Sequence, residues 1–430
     1  MHKYLKIVFI FILLQSFYFK TGMAEEVLNW QACIKEAAKN HPDLISAQEA
    51  VKESEASKKI TASTIFPQID SNLGGSTAKT TTTTSGTTTT KTTDTYTYGV
   101  TATHLLFDGT KTINEVKAAK EDIKAAQHNY RFTSTEVRLR LRTAFISLLK
   151  AQESLNITEE IYNIRRSDLE LITLRYESGL EHKGALLNVQ ANLAQAQFEI
   201  AQAKRIQEVV QRQLIKEMGR TQFSPLSVQG DFKVSDAALE DPDFESLAKN
   251  NPSLEKIIAQ KNAAAFGIKS AQANFFPELS AEAGASRKSS HWPPQDDQLD
   301  AGLTLSFPIF EGGLRLAEVA QAKAIFNQAQ ADERSTKDSV IVTLEQTWVA
   351  LQDAVETVQV QQKFLEAARE RSKISEAQYS LGLIQFDNWT IIEDDLVRAK
   401  KAFLDAQANA LLAEADWIHA KGETLEYAQK

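Results

Sequence analysis

The chain carries one cysteine, Cys33, which excludes a disulfide framework and any multi-cysteine metal site. It has 9 prolines, none between Pro67 and Pro225 and none after Pro308. Proline breaks helix interiors, so gaps of that length leave room for very long helices. Glycine is also missing from residues 110–178 and 314–381. A net charge of −8 argues against a nucleic-acid binder. Beyond residue 24 no run approaches the roughly 18 apolar residues of a membrane-spanning helix. The chain is nevertheless 43% hydrophobic and 24% charged, the composition of a folded protein rather than a disordered one.

What is present begins with a processing signal. Lys3 and Lys6 precede an apolar run over 7–19, and Thr21-Gly22-Met23-Ala24 places small residues before Glu25. This reads as a secretory signal peptide over 1–24, with a retained N-terminal anchor as the alternative. Its removal would take the charge from −8 to −11, since Lys3, Lys6 and Lys20 are lost. Trp30-Gln31-Ala32 before Cys33 is not a lipobox, so Cys33 reads as a small packed helix residue. A secreted chain without an apolar helix can still cross a membrane as a β-barrel.

The sequence then repeats itself. Ala38-Lys39-Asn40-His41-Pro42-Asp43-Leu44 returns as Ala248-Lys249-Asn250-Asn251-Pro252-Ser253-Leu254, and Phe66-Pro67 returns as Phe276-Pro277, both 210 residues on. Farther along, Gly99, Phe107, Gly109, Tyr176, Gly179 and Leu180 match Gly302, Phe310, Gly312, Tyr379, Gly382 and Leu383 at an offset of 203. A fixed offset marks a duplicated unit. The first repeat is expected over 25–235, with a hairpin about 68–106, a long helix about 110–178 and a return helix about 185–218. The second is expected over 236–430, with a hairpin about 278–309, a long helix about 313–381 and a return helix about 386–421. The seven-residue change of offset falls in a Thr-rich tract, so 76–95 is expected to be an exposed loop.

Each repeat opens on a helix capped near Asn40 or Asn250, with proline in the first turn. Leu299, Ala301, Leu303, Leu305, Phe307 and Ile309 alternate with polar or small residues, as do Tyr96, Tyr98, Val100 and Ala102. Period two with small polar residues on one face suits a barrel strand between lipid and lumen, or else a half-buried soluble hairpin. In the helical stretches Val116, Ile123, Tyr130, Val137, Ala144 and Ala151 lie seven apart, as do Leu344, Leu351, Val358 and Leu365. That is a coiled-coil seam. A helix of 69 residues would run roughly 100 Å and cannot bury such a seam alone, so a homo-oligomer is expected.

Catalytic chemistry is hard to find. The seven histidines are scattered, and no His or Cys pair has ligand spacing. Ser76-Thr77-Ala78-Lys79 fits Ser-x-x-Lys without partner motifs. Gly74 to Thr80 is not a phosphate loop, because Ala78 stands where glycine is needed. The protein is expected to be no enzyme and to hold no cofactor or metal.

The doubled helix–hairpin–helix–helix order resembles the TolC family of outer-membrane efflux proteins. Further marks are the Phe-Pro before each strand pair, Phe107-Asp108-Gly109 and Phe310-Glu311-Gly312-Gly313 before the long helices, and two Tyr-x-x-Gly turns, at Tyr176–Gly179 and Tyr379–Gly382. The resemblance covers 25–430. It implies a mainly α fold with a small β part: a homotrimer with a twelve-stranded outer-membrane barrel continued by a twelve-helix periplasmic tunnel. The segment 220–250 and the C-terminus would pack around the tunnel's middle. Such a protein is a passive exit duct for drugs, metal ions or secreted proteins, in a tripartite efflux pump or a type I secretion system. Its partners are a periplasmic adaptor, an inner-membrane pump of the RND or ABC type, and outer-membrane lipid, with no nucleic acid. A periplasmic coiled-coil adaptor and a surface rod are the alternatives.

The resemblance also implies sites. Tyr176, Gly179, Leu180, Tyr379, Gly382 and Leu383 would form the adaptor-contacting tip, although plain helix caps account equally well for the glycines. The family's return helix carries aspartates at the sixth and ninth positions after the second tip glycine. Here those positions are Asn388 and Ile391, with Ala185 and Asn188 in the first repeat. The pore constriction is therefore expected at Asn388 and Ile391, made cation-preferring by Asp387, Asp394 or Asp395. The alternative has these acids facing the periplasm and serving only solubility.

Overall fold

A computed structural model describes residues 26–235 and 240–426. The expected signal peptide and the junction between the repeats, at 236–239, lie outside the described residues. The first elements are β1 (Glu26–Leu28), α1 (Trp30–Asn40), α2 (Pro42–Ser63), β2 (Gln68–Thr84) and β3 (Thr87–Phe107). A long helix α3 (Lys111–Glu177) and its return α4 (Lys183–Glu217) follow, then β4 (Leu226–Val228) and α5 (Phe244–Lys249). The same order recurs as α6 (Pro252–Ala273), β5 (Glu278–Ser289), β6 (Asp296–Ser306), α7 (Leu314–Ser380) and α8 (Phe386–Ala420). The chain divides into two compact units. One holds residues up to Ile45, Phe132–Leu247 and everything from Ile341. The other holds Ser46–Arg131 and Ala248–Val340.

Local chemistry sets the helix ends. Asn251, rather than Asn250, caps α6: its Oδ1 accepts from the Ser253 amide at 2.9 Å. At the matching place His41 stands before α2, and its Nδ1 accepts from the Asp43 amide at 3.2 Å. Asn40 is instead the last residue of α1. The expectation was off by one residue because the preceding short helix consumes the first asparagine. At the other ends, α3, α4, α7 and α8 all stop the same way, on Gly179, Gly219, Gly382 and Gly422 with φ between +72° and +78°. After each glycine the next amide reaches back to a carbonyl five residues earlier, as from Leu180 to Arg175 at 2.8 Å and from Leu383 to Gln378 at 2.8 Å. This closes the last helical carbonyls with a left-handed residue that only glycine adopts without strain.

In the helical unit the heptad seam is core. Val137, Leu141, Ala144 and Leu148 of α3 and Leu344, Trp348 and Leu351 of α7 are buried. Each large side chain fully removed from water contributes about 1.5–3 kcal/mol. The connector joins this core in a way the sequence did not announce. β1 and β4 form a two-stranded parallel ladder, Glu26 opposite Leu226 through Leu28 opposite Val228. Gln152 of α3 clamps it, accepting from the Val228 amide at 2.9 Å and donating to the Val228 carbonyl at 3.1 Å. Arg220 ties the strand to α1 by reaching both Glu26 and Glu36. Cys33 is fully buried, and burial pushes its thiol up to about 12.

The other unit is built on a four-stranded antiparallel sheet in the order β2-β3-β5-β6. Opposed residues share a face, so the register sorts the side chains. Ile69, Leu73, Val100, Ala283, Leu303 and Leu305 share one face, while Asp70, Thr101, Glu282, Asp300 and Thr304 share the other. The apolar face is open, with Leu299 84% exposed and Leu303 71%. Where β3 leaves the sheet, Gly109 turns the chain at φ +66°, and a Cβ there would stand 2.6 Å from the Phe276 Cβ. No described helix is long and apolar enough to cross a membrane.

The Thr-rich tract corrects the sequence reading. It is not a loop: β2 and β3 run through it as paired strands to a two-residue turn at Ser85-Gly86. Threonine is β-branched and favours extended backbone, and the hydroxyls of Thr81 and Thr90, and of Thr83 and Thr88, meet at 3.2 and 3.1 Å. The polar composition marked exposure correctly, since every residue from 76 to 94 is exposed, but not irregularity.

The clamp on β4 gives a first test. Gln152→Ala strands two backbone groups of a part-buried ladder, which costs about 2 kcal/mol. Amide exchange at Val228 is expected to speed up by more than about tenfold, while exchange in β5 and β6 stays unchanged.

Candidate functional site

The two helix turns, Tyr176–Leu180 and Tyr379–Leu383, are built alike but dressed differently. Gly179 and Gly382 are exposed with nothing within 4 Å of an added Cβ. Leu180 and Leu383 stand open beside them, 67% and 69% exposed, and Tyr176 is exposed as well. These five are free surface in the single chain.

Tyr379 is not. It is 1% exposed and stacks on Trp389 with ring centroids 4.7 Å apart and planes 4° off parallel. Its hydroxyl donates to Glu181 Oε2 at 2.7 Å, and the Arg175 guanidinium lies over its ring at 4.7 Å. Burial, and then the Glu181 carboxylate, push the phenol above its ordinary pKa. With Ile172, Ala185, Val189 and Phe386 it forms a small core that joins the two turns. The expectation that Tyr379 presents itself at the tip is therefore corrected: it sets the geometry of the tip from inside. The departure is physical, because α8 brings Trp389 and Phe386 against the Tyr379 ring, whereas Tyr176 at the matching place stays exposed.

The residues expected at the constriction all lie in the first turns of α8. Asp387, Asn388 and Ile391 are exposed. Asp394 and Asp395 are not free negative charges. Arg165 of α3 donates to Asp394. Asp395 accepts from Arg371 of α7 at 3.2 Å and from Arg398 one turn on. Sequence spacing placed these acids on α8 but could not show that arginines of two other helices meet them. Only Asp387 remains as an unpaired carboxylate of the three.

Beside this lies a group the sequence reading missed. Asp168 of α3 and Glu393 of α8 are 9% and 6% exposed and line a cavity of about 380 Å³ with Glu160, Ser372 and Glu376. The Ser372 hydroxyl donates to Glu393 at 2.6 Å, and Arg165 stands 3.6 Å from Asp168. Burial raises the Asp168 carboxyl to about 7, against the pull of Arg165, and burial raises Glu393 too. The clue available in the sequence was an acid at a core position of a heptad helix. Among the described residues no group of three or more His, Cys, Asp or Glu is arranged to hold a metal ion.

Removing the stacked ring tests the inner role of Tyr379. Tyr379→Ala is expected to cost about 3 kcal/mol of packing at the turn and to speed limited tryptic cleavage at Lys183. Tyr176→Ala, at an exposed ring, should leave that cleavage rate unchanged.

Comparison with known proteins accords with this architecture. The chain matches the outer membrane efflux protein family over residues 33–220 and 244–423. It is similar to the outer membrane efflux protein BepC of Brucella suis, 20% identical over 414 residues, covering 94% of this chain and 87% of BepC. It is also similar to the outer membrane protein TolC of Escherichia coli, 23% identical over 345 residues, covering 74% of this chain and 68% of TolC. Its fold is similar to the open state of the Neisseria gonorrhoeae MtrE outer membrane channel. That likeness has a TM-score of 0.79 at 17% identity and covers 93% of this chain and 90% of MtrE. The family match runs through both long helices and both turns, so the protein belongs to the outer membrane efflux protein family.

Proposed function

We propose that the protein works as a homotrimer that forms the passive outer-membrane exit duct of a tripartite efflux pump or a type I secretion system. The observation that carries this is the sheet. It has one open apolar face, one polar face, and two edge strands, β2 and β6, with no partner among the described residues. Such a sheet is stable in lipid only when closed, and three copies would supply twelve strands. β5 and β6 have 12 and 11 residues, a suitable length for tilted strands that cross a bilayer. Exposed Phe66, Phe276 and Phe310 at the helix-side ends of the strands, and clustered Tyr96, Tyr98 and Trp292 at the far end, fit the aromatic girdles that face outer-membrane lipid. Leu187, Phe198 and Val209, exposed at eleven-residue spacing on α4, would be covered by a neighbouring copy.

On this reading residues 1–24 are a removed signal peptide, and 25–235 and 236–430 are two structural repeats. The turns with Tyr176, Gly179, Leu180, Gly382 and Leu383 meet a periplasmic adaptor, which couples the duct to an inner-membrane pump of the RND or ABC type. The constriction lies at Asn388 and Ile391, with Asp387 the acid most available to it. The pump supplies the energy, and no cofactor or nucleic acid takes part. The alternatives of an adaptor or a surface rod leave the two-faced sheet unused, and the family match sets them aside.

Four measurements test the proposal. Purified protein should run as a trimer and conduct in a planar bilayer, and Gly179→Trp with Gly382→Trp should abolish crosslinking to the adaptor without dispersing the trimer. Crosslinking and export that survive in the double variant would remove the turns from the adaptor contact. For orientation, Thr87→Cys should react with a membrane-impermeant thiol reagent on intact cells. The native Cys33, buried and with its thiol pushed up to about 12, gives no background. Labelling that requires disruption of the outer membrane would put the hairpin on the periplasmic side.

A further inference from the structure

The cavity beside the constriction helix holds an imbalance of charge. From α3 it is faced by Glu160 and Asp168, from α7 by Glu376, and from α8 by Glu393. Two cations serve this group. Arg165 is within 3.6 Å of Asp168, but its other nitrogen is given to Asp394. Lys400 is given to Glu160 at 2.7 Å and acts on Glu393 from farther off. Ser372 supplies Glu393 with one hydrogen bond. Buried like charges on packed helices repel strongly in a low-dielectric interior unless one or more takes a proton.

We propose that Asp168 and Glu393 form a proton-operated clasp that seats α8 against α3 and α7 when they are protonated and loosens that seat when they ionise. Because α8 carries Asn388 and Ile391 two turns or less from Glu393, a looser seat widens the constriction. The role of the clasp as a gate rests on the export-duct reading.

The sign follows from linkage. A carboxyl whose pKa is raised in the packed state holds its proton there more tightly than when released. Its contribution to packing is complete below the ordinary carboxylate range and is lost as pH rises through the packed-state value. For Asp168 that value is about 7, so the window runs from the ordinary carboxylate range up to about neutral pH. Arg165 and Lys400 face the two carboxyls, pull against the rise and limit the effect without reversing it. The ion pairs of Asp394 with Arg165 and of Asp395 with Arg371 tie α8 to α3 and α7 beside this pair.

The test uses the purified full chain in planar bilayers at about pH 5.5 and about pH 8, with hydrogen exchange over residues 388–396 in parallel. Wild-type conductance is expected to rise with pH, the opening equilibrium shifting by up to about tenfold for each unit by which release lowers the carboxyl pKa. Asp168→Asn with Glu393→Gln should stay at the acid level at both pH values and keep 388–396 protected. Asp168→Glu, which still titrates, should retain the rise, and it keeps the test open if the double variant assembles poorly. A wild-type channel whose conductance ignores pH or falls with it, or a double variant that retains the rise, overturns the clasp and leaves the export duct intact. A wild type that conducts at neither pH counts against the export duct instead. The clasp is then judged on exchange alone: equal protection of 388–396 in wild type and double variant at about pH 8 would overturn it.

Discussion

A peptide N–H or C=O left without a partner in hydrocarbon costs several kcal/mol, and a strand edge presents a row of them. The sheet of this protein has such a row on β2 and another on β6, and its outward face is apolar. The open apolar face is unfavourable in water, and the open edges are unfavourable in lipid. Closure with other copies removes both difficulties in one operation. The same operation covers the exposed apolar stripes that long helices cannot bury by themselves. On the proposed reading the oligomer answers to the backbone as much as to the side chains, and the duct would be its geometric consequence.

Within the helical unit α3 acts as a spine, and its arginines do the tying. Arg138 reaches Glu423 near the C-terminus, Arg140 reaches Asp43 and Glu217, Arg142 reaches Glu414, and Arg165 reaches Asp394. Three of them lie within little more than one turn and reach the C-terminal segment, α2, α4 and α8, while Arg165 holds α8 again farther along. The guanidinium suits this work because it stays charged when half-buried and offers several donors at once. The more exposed of these pairs contribute little stability singly. Their value is positional, fixing which face of each helix meets the spine, while the buried leucines contribute most of the free energy.

Patterns that depend on near neighbours were legible in the sequence. Strict alternation from Leu299 to Leu305 located β6, and the glycines at 179 and 382 located the helix ends, because a left-handed cap is a local requirement. The family resemblance carried the architecture. What escaped was set by distance along the chain. The β1–β4 ladder joins segments about 200 residues apart, with three residues on each side and no periodicity to announce it. Tyr379 and Tyr176 occupy matching positions in the repeat, yet only Tyr379 meets a tryptophan, so duplication predicted a likeness that packing removed. Asp394 and Asp395 looked like free charge because Arg165 and Arg371 are remote in sequence. Threonine misled in another way: its polarity suggested a loop, while its branching at Cβ made strand.

β2 and β3 are 17 and 21 residues long, against 12 and 11 for their counterparts β5 and β6, and the surplus is mostly threonine. Beyond the point where β3 leaves β5, at Tyr96, this ribbon has no third strand to hold it in step. A slip of two residues sets most threonines against threonine again and returns every side chain to its own face. Threonines added or removed in pairs on the two arms would thus leave the pairing of β3 with β5 in place. The ribbon works like a measuring tape with repeating marks, whose length can change without touching the four-stranded part of the sheet.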